Sequence, residues 1–446
     1  MNDFDVIFIG SGHAAWHGAL ILRNAGKSVL VIEKELYGGT CTNYGCNAKI
    51  LLDGPFELAD AVDRYEGMGK GSDFIVDWSS LMEQKTKITL LFPIGLNQMF
   101  FEFGIAVVNG KGVLKDEHTV MVGDDEYHAE HIVIATGENP VELDVEGKEY
   151  IKDSRDFLSV PKLPKKAVFI GAGIISLEFA SILAQAGSKV DILVHSDKVL
   201  RRFNQQYVNK LVNKLESRNV TFHYNETVSK VEENNGEYVV TTENGLSLTG
   251  DYVLGATGRT PNVDGIGLDE VGIEYSNRGI VVNKHMQTNI PNIYASGDVV
   301  DKKIPKLTPT ASFESNYIAK QISGNTDEIK YPVIPHVVYT LPRLATVGVT
   351  VSQAEQNEEY NVIPVPYGQM AGFETKNEVE ASVMVVINKE KQIVGVELYN
   401  ADAENLVNLF TILINKKVTI DELKSMIFAF PGVSSAVIDS MESMIN

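Results

Sequence analysis

Two cysteines in 446 residues are too few for a disulfide-stapled secreted scaffold, which spreads many along its chain. The expected compartment is therefore the cytosol. No apolar run approaches the roughly 18 residues that a membrane-spanning helix needs, so none is expected. The opening stretch has no basic segment leading into a long apolar one, so no secretory signal is expected. Positive charge is scarce as well: 39 Lys and Arg face 59 Asp and Glu, for a net charge of −20. Such a surface repels phosphate backbones and anionic lipid. It argues against a nucleic-acid or membrane partner and otherwise reads as solubility. Low-complexity tracts and long linkers are also missing. At roughly 150 residues per domain the length suits about three domains.

What the chain does have is a repeated nucleotide-binding grammar. Phe4-Asp5-Val6-Ile7-Phe8-Ile9 reads as a buried strand, followed by Gly10-Ser11-Gly12-His13-Ala14-Ala15 and a helix to Ala25-Gly26. A second apolar run, Val29 to Ile32, ends in Glu33. Gly10, Gly12 and Ala15 let backbone N–H groups approach a pyrophosphate at a helix N-terminus, and Glu33 stands where an acid accepts a ribose hydroxyl. The pattern recurs: Lys166 to Ile170, then Gly171-Ala172-Gly173-Ile174-Ile175-Ser176, a helix, and the strand Lys189 to Val194. Two such units predict two nucleotide-binding domains. Gly123-Asp124-Asp125 and Asn234-Asn235-Gly236 predict hairpins. Ile134-Ala135-Thr136-Gly137 and Gly255-Ala256-Thr257-Gly258 close the two regions alike. Beyond about residue 330 the pattern turns strand-rich, then helical, with no further glycine fingerprint.

The two cysteines sit in Gly38-Gly39-Thr40-Cys41-Thr42-Asn43-Tyr44-Gly45-Cys46. A zinc site would need two further ligands, and no other cysteine exists, so no metal site is expected. On a regular helix residues five apart have Cα atoms roughly 8–9 Å apart, whereas a disulfide needs about 4.4–6.8 Å. Pairing requires a distorted backbone, which Gly45 permits. A thiolate near a helix N-terminus is stabilised and reactive.

This stretch resembles the redox-active signature of the flavoprotein pyridine nucleotide-disulfide oxidoreductases, a family that includes glutathione reductase, dihydrolipoamide dehydrogenase and mercuric reductase. The resemblance runs along nearly the whole chain. It takes in both fingerprints, both Ala-Thr-Gly stretches, Thr257-Gly258-Arg259-Thr260-Pro261-Asn262, Ile293-Tyr294-Ala295-Ser296-Gly297-Asp298 and Leu307-Thr308-Pro309. It implies an α/β fold with two Rossmann-like domains, for FAD and NAD(P), plus a C-terminal α+β dimerisation domain. The expected division is 1–140 and 257–328 for FAD, 141–256 for NAD(P) and 329–446 for the dimer contact. It implies FAD contacts from Gly10, Gly12, Ala15, Glu33, Gly39, Thr40, Thr136, Gly137, Arg259, Asp298, Leu307 and Thr308. Asp298 would hold the ribityl chain. NAD(P) contacts are implied for Gly171, Gly173, Ile175, His195, Arg201 and Gly258. Cys46 would stack its thiolate on the flavin, Cys41 would attack substrate, and Glu178 would pair with a lysine at flavin N5.

Two departures stand out. After Cys46 the family has a proline and then a lysine; here the proline is absent and Lys49 stands one residue early. Positions three or four apart share a helix face, so Lys49 either reaches the flavin or faces solvent. Near the C-terminus the family carries His-Pro and then Glu, an acid–base pair for thiol exchange. This chain has Phe430-Pro431 and Ser435, and no histidine after His336. Phe430 is either a packing residue or an apolar wall of the substrate site. Lacking a positioned acid, turnover of a small disulfide is expected to be slow by about 10²–10⁴-fold.

The strand ending at Val194 carries no acid, and Arg201 and Arg202 follow a few residues on; by the resemblance, His195 and Arg201 stand where the NADPH-using glutathione reductases place cations. The coenzyme read from this is NADPH, with NADH possible. The function read is electron transfer from NAD(P)H through FAD to Cys41–Cys46, and on to a small disulfide such as glutathione disulfide. The alternative acceptor is a quinone or a metal ion such as copper or mercury. A non-enzymatic redox sensor is the remaining class, against which the complete electron path argues.

Overall fold

The computed structural model describes residues 3–65, 67–68, 74–374 and 376–444. Strand β1 (Asp3–Ile9) starts at the surface and ends wholly buried from Val6 to Ile9. It lies parallel between β2 (Val29–Glu33) and the long strand Asp125–Ile134, with Val6 opposite Val29 and Phe8 opposite Val133. A parallel strand buried on both faces reads as a continuous apolar run, which is why the alternation of a surface sheet is missing. Fully burying each Ile or Phe contributes about 1.5–3 kcal/mol. Helix α1 (His13–Asn24) packs on the helix Thr308–Ile322. The strand Ile293–Ala295 returns from far along the chain to pair with Ile132–Ile134.

The second unit repeats the plan. Lys166–Ile170 runs parallel between Lys189–Val194 and Tyr252–Gly255, with Val220–Tyr224 outside. Each unit carries an antiparallel meander. In the second, Asn235 and Gly236 both adopt positive φ, 55° and 86°, the tight turn that matches strand twist. The expected turn at Gly123-Asp124 likewise joins Thr119–Val122 to the strand beginning at Asp125.

From His336 onward a five-stranded antiparallel sheet runs in the order His336–Val338, Arg343–Gly348, Ile393–Asn400, Ser382–Asn388, Tyr360–Val365. Helix Ala403–Asn415 covers it with Leu406, Val407 and Phe410 buried. The fold is thus two Rossmann-like units and an α+β domain. No helix among the described residues is long and apolar enough to cross a membrane.

Candidate active site

Both glycine turns lie at the C-terminal ends of parallel strands, where such sheets receive nucleotides. Gly10 has φ +109°, and a Cβ there would fall 2.4 Å from the Ala135 carbonyl oxygen. Gly171 repeats this against Ala256 with φ +104° and 2.5 Å. In each, strand end and Ala-Thr-Gly stretch approach too closely for any side chain.

A cavity of about 400 Å³ opens over the first turn. Gly10, Gly12, Glu33, Gly39, Thr40, Thr136, Gly137, Asp298 and Thr308 line it, together with Cys41 and His13. Three residues expected among the FAD contacts lie elsewhere. Ala15 is fully buried, where its small size serves helix–sheet packing. Leu307 precedes the helix Thr308–Ile322, and Arg259 donates to the Glu138 carbonyl at 2.5 Å. Glu33 accepts from Ser11 N and Oγ, at 3.0 and 2.6 Å, which fixes its carboxylate at the end of β2. Asp298 Oδ1 is buried without a hydrogen-bond partner among the described residues. An orphaned acceptor over a glycine cradle, with an acid at one end and a thiol at the other, fits a dinucleotide such as FAD.

The cysteines occupy two helices. α2 (Gly39–Tyr44) carries Cys41; α3 (Cys46–Arg64) begins at Cys46. The break falls at Gly45, where a Cβ would crowd the Thr40 oxygen at 3.0 Å. Breaking the helix here lets each thiol influence the other's ionisation. That mutual influence, the Thr308 hydroxyl 3.6 Å from Cys46 Sγ, and the Lys49 charge bring the Cys46 thiol down to about 6. The same influence, with burial, pushes Cys41 up.

Lys49 does not face solvent. One turn along α3 from Cys46, its Nζ donates to both Glu178 oxygens at 2.9 and 3.0 Å. It stands 4.1 Å from the centre of the Tyr339 ring, and Tyr339 N donates to Glu178 Oε1 at 2.8 Å. The missing proline and the shifted lysine therefore leave the pair intact. Beneath it Arg343, 1% exposed, donates to Asp53 and Glu404 at 2.8 Å each and ties α3 to the C-terminal domain. Burial lifts Asp53 to about 6, against the pull of Arg343. Neither Tyr339 nor Arg343 was legible from the sequence, because both act across long chain separations.

In the reduced, flavin-free protein the first thiol proton is expected to leave near pH 6, read from thiolate ultraviolet absorbance. Lys49→Met removes a cation beside the thiolate and raises that midpoint; Glu178→Gln removes an anion and lowers it. A wild-type midpoint near the ordinary thiol value of about 8.5 would refute the assignment.

In the second unit Gly173 precedes the helix Ile174–Gln185, Ile175 is half-buried, and Gly258 has φ +137°. His195 and Arg201 are exposed; His195 Nδ1 meets Thr227 Oγ1 at 3.0 Å and Arg201 Nε donates to Ser196 Oγ at 3.1 Å. Asp197 is exposed in the same turn. Near the C-terminus Phe430 is 79% exposed, so it is not a packing residue within the chain. Ser435 is buried, its hydroxyl donating to the Gly432 carbonyl at 2.9 Å. Among the described residues no group of three or more His, Cys, Asp or Glu is placed to hold a metal.

Residues 4–315 match the pyridine nucleotide-disulphide oxidoreductase family, and residues 334–441 match the dimerisation domain of that family. A dihydrolipoyl dehydrogenase of Bacillus subtilis is 31% identical over 99% of this chain and 96% of its own length. That of Geobacillus stearothermophilus is 29% identical over 98% and 95%. Among solved structures, the Cu(II) complex of a mutant of the HOCl-induced flavoprotein disulfide reductase RclA from Escherichia coli superposes with a TM-score of 0.91. It covers 100% of both chains at 24% identity, a likeness of fold.

Proposed function

The chain belongs to the pyridine nucleotide-disulphide oxidoreductase family, and from that premise we propose that it is a homodimeric, NADPH-using reductase of a small disulfide. The observation that carries this reading is Cys41 lining a nucleotide-sized cavity, with Cys46 at the head of the next helix beside Thr308 and with Lys49–Glu178 one helical turn away. FAD, when bound, relays electrons from the nicotinamide coenzyme to the dithiol. Gly10, Gly12, Glu33, Thr136, Gly137 and Asp298 would hold it, and the Lys49–Glu178 pair sets the charge beside Cys46. Cys46 waits as thiolate while Cys41, the more basic thiol, attacks the substrate.

Because the relatives are named dihydrolipoyl dehydrogenases, lipoamide is worth trying as an acceptor beside glutathione disulfide. The exposed Phe430 ring supports a second reading, in which an apolar site takes a quinone. NADPH is favoured by His195, Ser196 and Arg201 around an acid-free strand end. Steady-state kinetics with each coenzyme against glutathione disulfide, lipoamide and a quinone test both readings. Rapid disulfide turnover supports the first, and turnover with the quinone alone overturns it. Arg201→Glu is expected to cost NADPH at least about tenfold relative to NADH, the worth of one charge-assisted hydrogen bond of about 1.5–3 kcal/mol. Equal use of the two coenzymes by wild type would remove Arg201 from the site.

A further inference from the structure

Glu314 is wholly buried, and nothing in the disulfide chemistry uses it. It sits two turns into the helix Thr308–Ile322, which packs on α1. A carboxylate removed from water is costly unless donors surround it. Here donors come from three separate stretches of chain. Oε2 accepts from Gly297 N at 2.7 Å. Oε1 accepts from Lys302 Nζ at 2.6 Å and from the Tyr331 hydroxyl at 2.8 Å. Burial and the carboxylate push Tyr331 up, so its hydroxyl stays a donor. The Lys302 side chain is itself only 8% exposed. Apolar residues of like volume often stabilise a core as well as a buried ion pair does, so stability does not account for the arrangement.

Its geometry does. Gly297 has φ +81°, and a Cβ there would fall 2.6 Å from the Ala14 Cβ. The turn is thus pressed against α1 on one side and bonded to Glu314 on the other. Asp298 is the next residue; it lines the cavity, and its Oδ1 is buried without a hydrogen-bond partner among the described residues. Glycine leaves the backbone free to turn. The bond from Gly297 N to Glu314 removes that freedom just before the acid that must point into the cavity. The same helix begins at Thr308, which lines the cavity and stands 3.6 Å from Cys46 Sγ. Glu314 lies about 9 Å further along its axis. One rigid element carries both the contact to the thiol and the anchor of the Asp298 turn.

We infer that Glu314 is a positioning residue for the cofactor: it aims Asp298 at the ribityl chain of FAD, while Lys302 and Tyr331 hold its second oxygen. The inference rests on the reading of Asp298 as the ribityl acid. It gives Glu314 no contact with the flavin and no part in proton transfer.

The test separates the two ends of the cofactor. ADP carries the adenosine and pyrophosphate of FAD but no ribityl chain. The full-length protein is stripped of flavin and titrated with FAD and, separately, with ADP. Glu314→Leu/Lys302→Met removes the acceptor without leaving a buried ammonium unpaired. Its FAD affinity is expected to fall about 10–10²-fold, the range of a charge-assisted hydrogen bond, while ADP affinity stays within about threefold of wild type. Glu314→Gln/Lys302→Met keeps an oxygen for Gly297 N and is expected to bind FAD within about threefold of wild type. If the leucine variant does not fold, Glu314→Ala/Lys302→Met takes its place, since water fills the space without fixing Gly297. FAD and ADP weakened together, or the glutamine and leucine variants weakened alike, would show that the cluster merely holds the fold, and would overturn the role of Glu314. An Asp298→Ala protein that keeps wild-type FAD affinity overturns the ribityl reading itself.

Discussion

Cys41→Ser is expected to abolish turnover of glutathione disulfide and lipoamide, by more than about 10⁴-fold, the scale reached when a covalent nucleophile is removed. The exchange needs two sulfurs in succession, one to open the substrate disulfide and one to release the mixed disulfide. Serine at Cys41 cannot form the first bond. Cys46 does not substitute, because it heads a separate helix and keeps its thiolate beside Thr308 and Lys49. Turnover with a quinone, which requires no mixed disulfide, survives at a measurable rate. NADPH oxidation against each acceptor checks this. Disulfide turnover above about one-hundredth of wild type would show that Cys41 is not the attacking thiol.

Gly10→Val is expected to yield protein that retains no flavin. The position has φ +109°, and the new Cβ would sit 2.4 Å from the Ala135 oxygen, so the stretch Ala135–Gly137 must be driven out of the cavity wall it forms. Gly26→Ala is the control. It shares a positive φ, +86°, but nothing lies within 4 Å of its Cβ. It should lose only about 1–2 kcal/mol and remain yellow. Visible absorbance after gel filtration separates the two, and a yellow Gly10→Val protein would contradict the argument.

The sequence revealed most where chemistry is local. Gly10 and Gly171 announce themselves because one turn must join a strand to a helix, and only glycine fits. The Asn235-Gly236 hairpin is equally short-range. The Cys41–Cys46 pair was legible as a redox candidate, and its helix break was anticipated at Gly45. Lys49 remained ambiguous because its partner Glu178 lies in the other nucleotide-binding unit. Arg343 and Tyr339 left no trace for the same reason: a buried charge is identified by what surrounds it. Phe430 read equally as core or surface until its exposure was known.

The pairing of Ile293–Ala295 with Ile132–Ile134 also sets a timetable. A ribosome adds about 5–20 residues per second. The first sheet therefore waits roughly ten to thirty seconds for its closing strand while the second nucleotide-binding unit emerges between the two halves and becomes free to fold. Asp298, a few residues past that strand, arrives with it. The flavin cannot be captured by a nascent first half, however complete its glycine turn. Cofactor loading is a late event, and a chain truncated before Ile293 would expose the unpaired edge of Ile132–Ile134, a template for aggregation, in place of a partial enzyme.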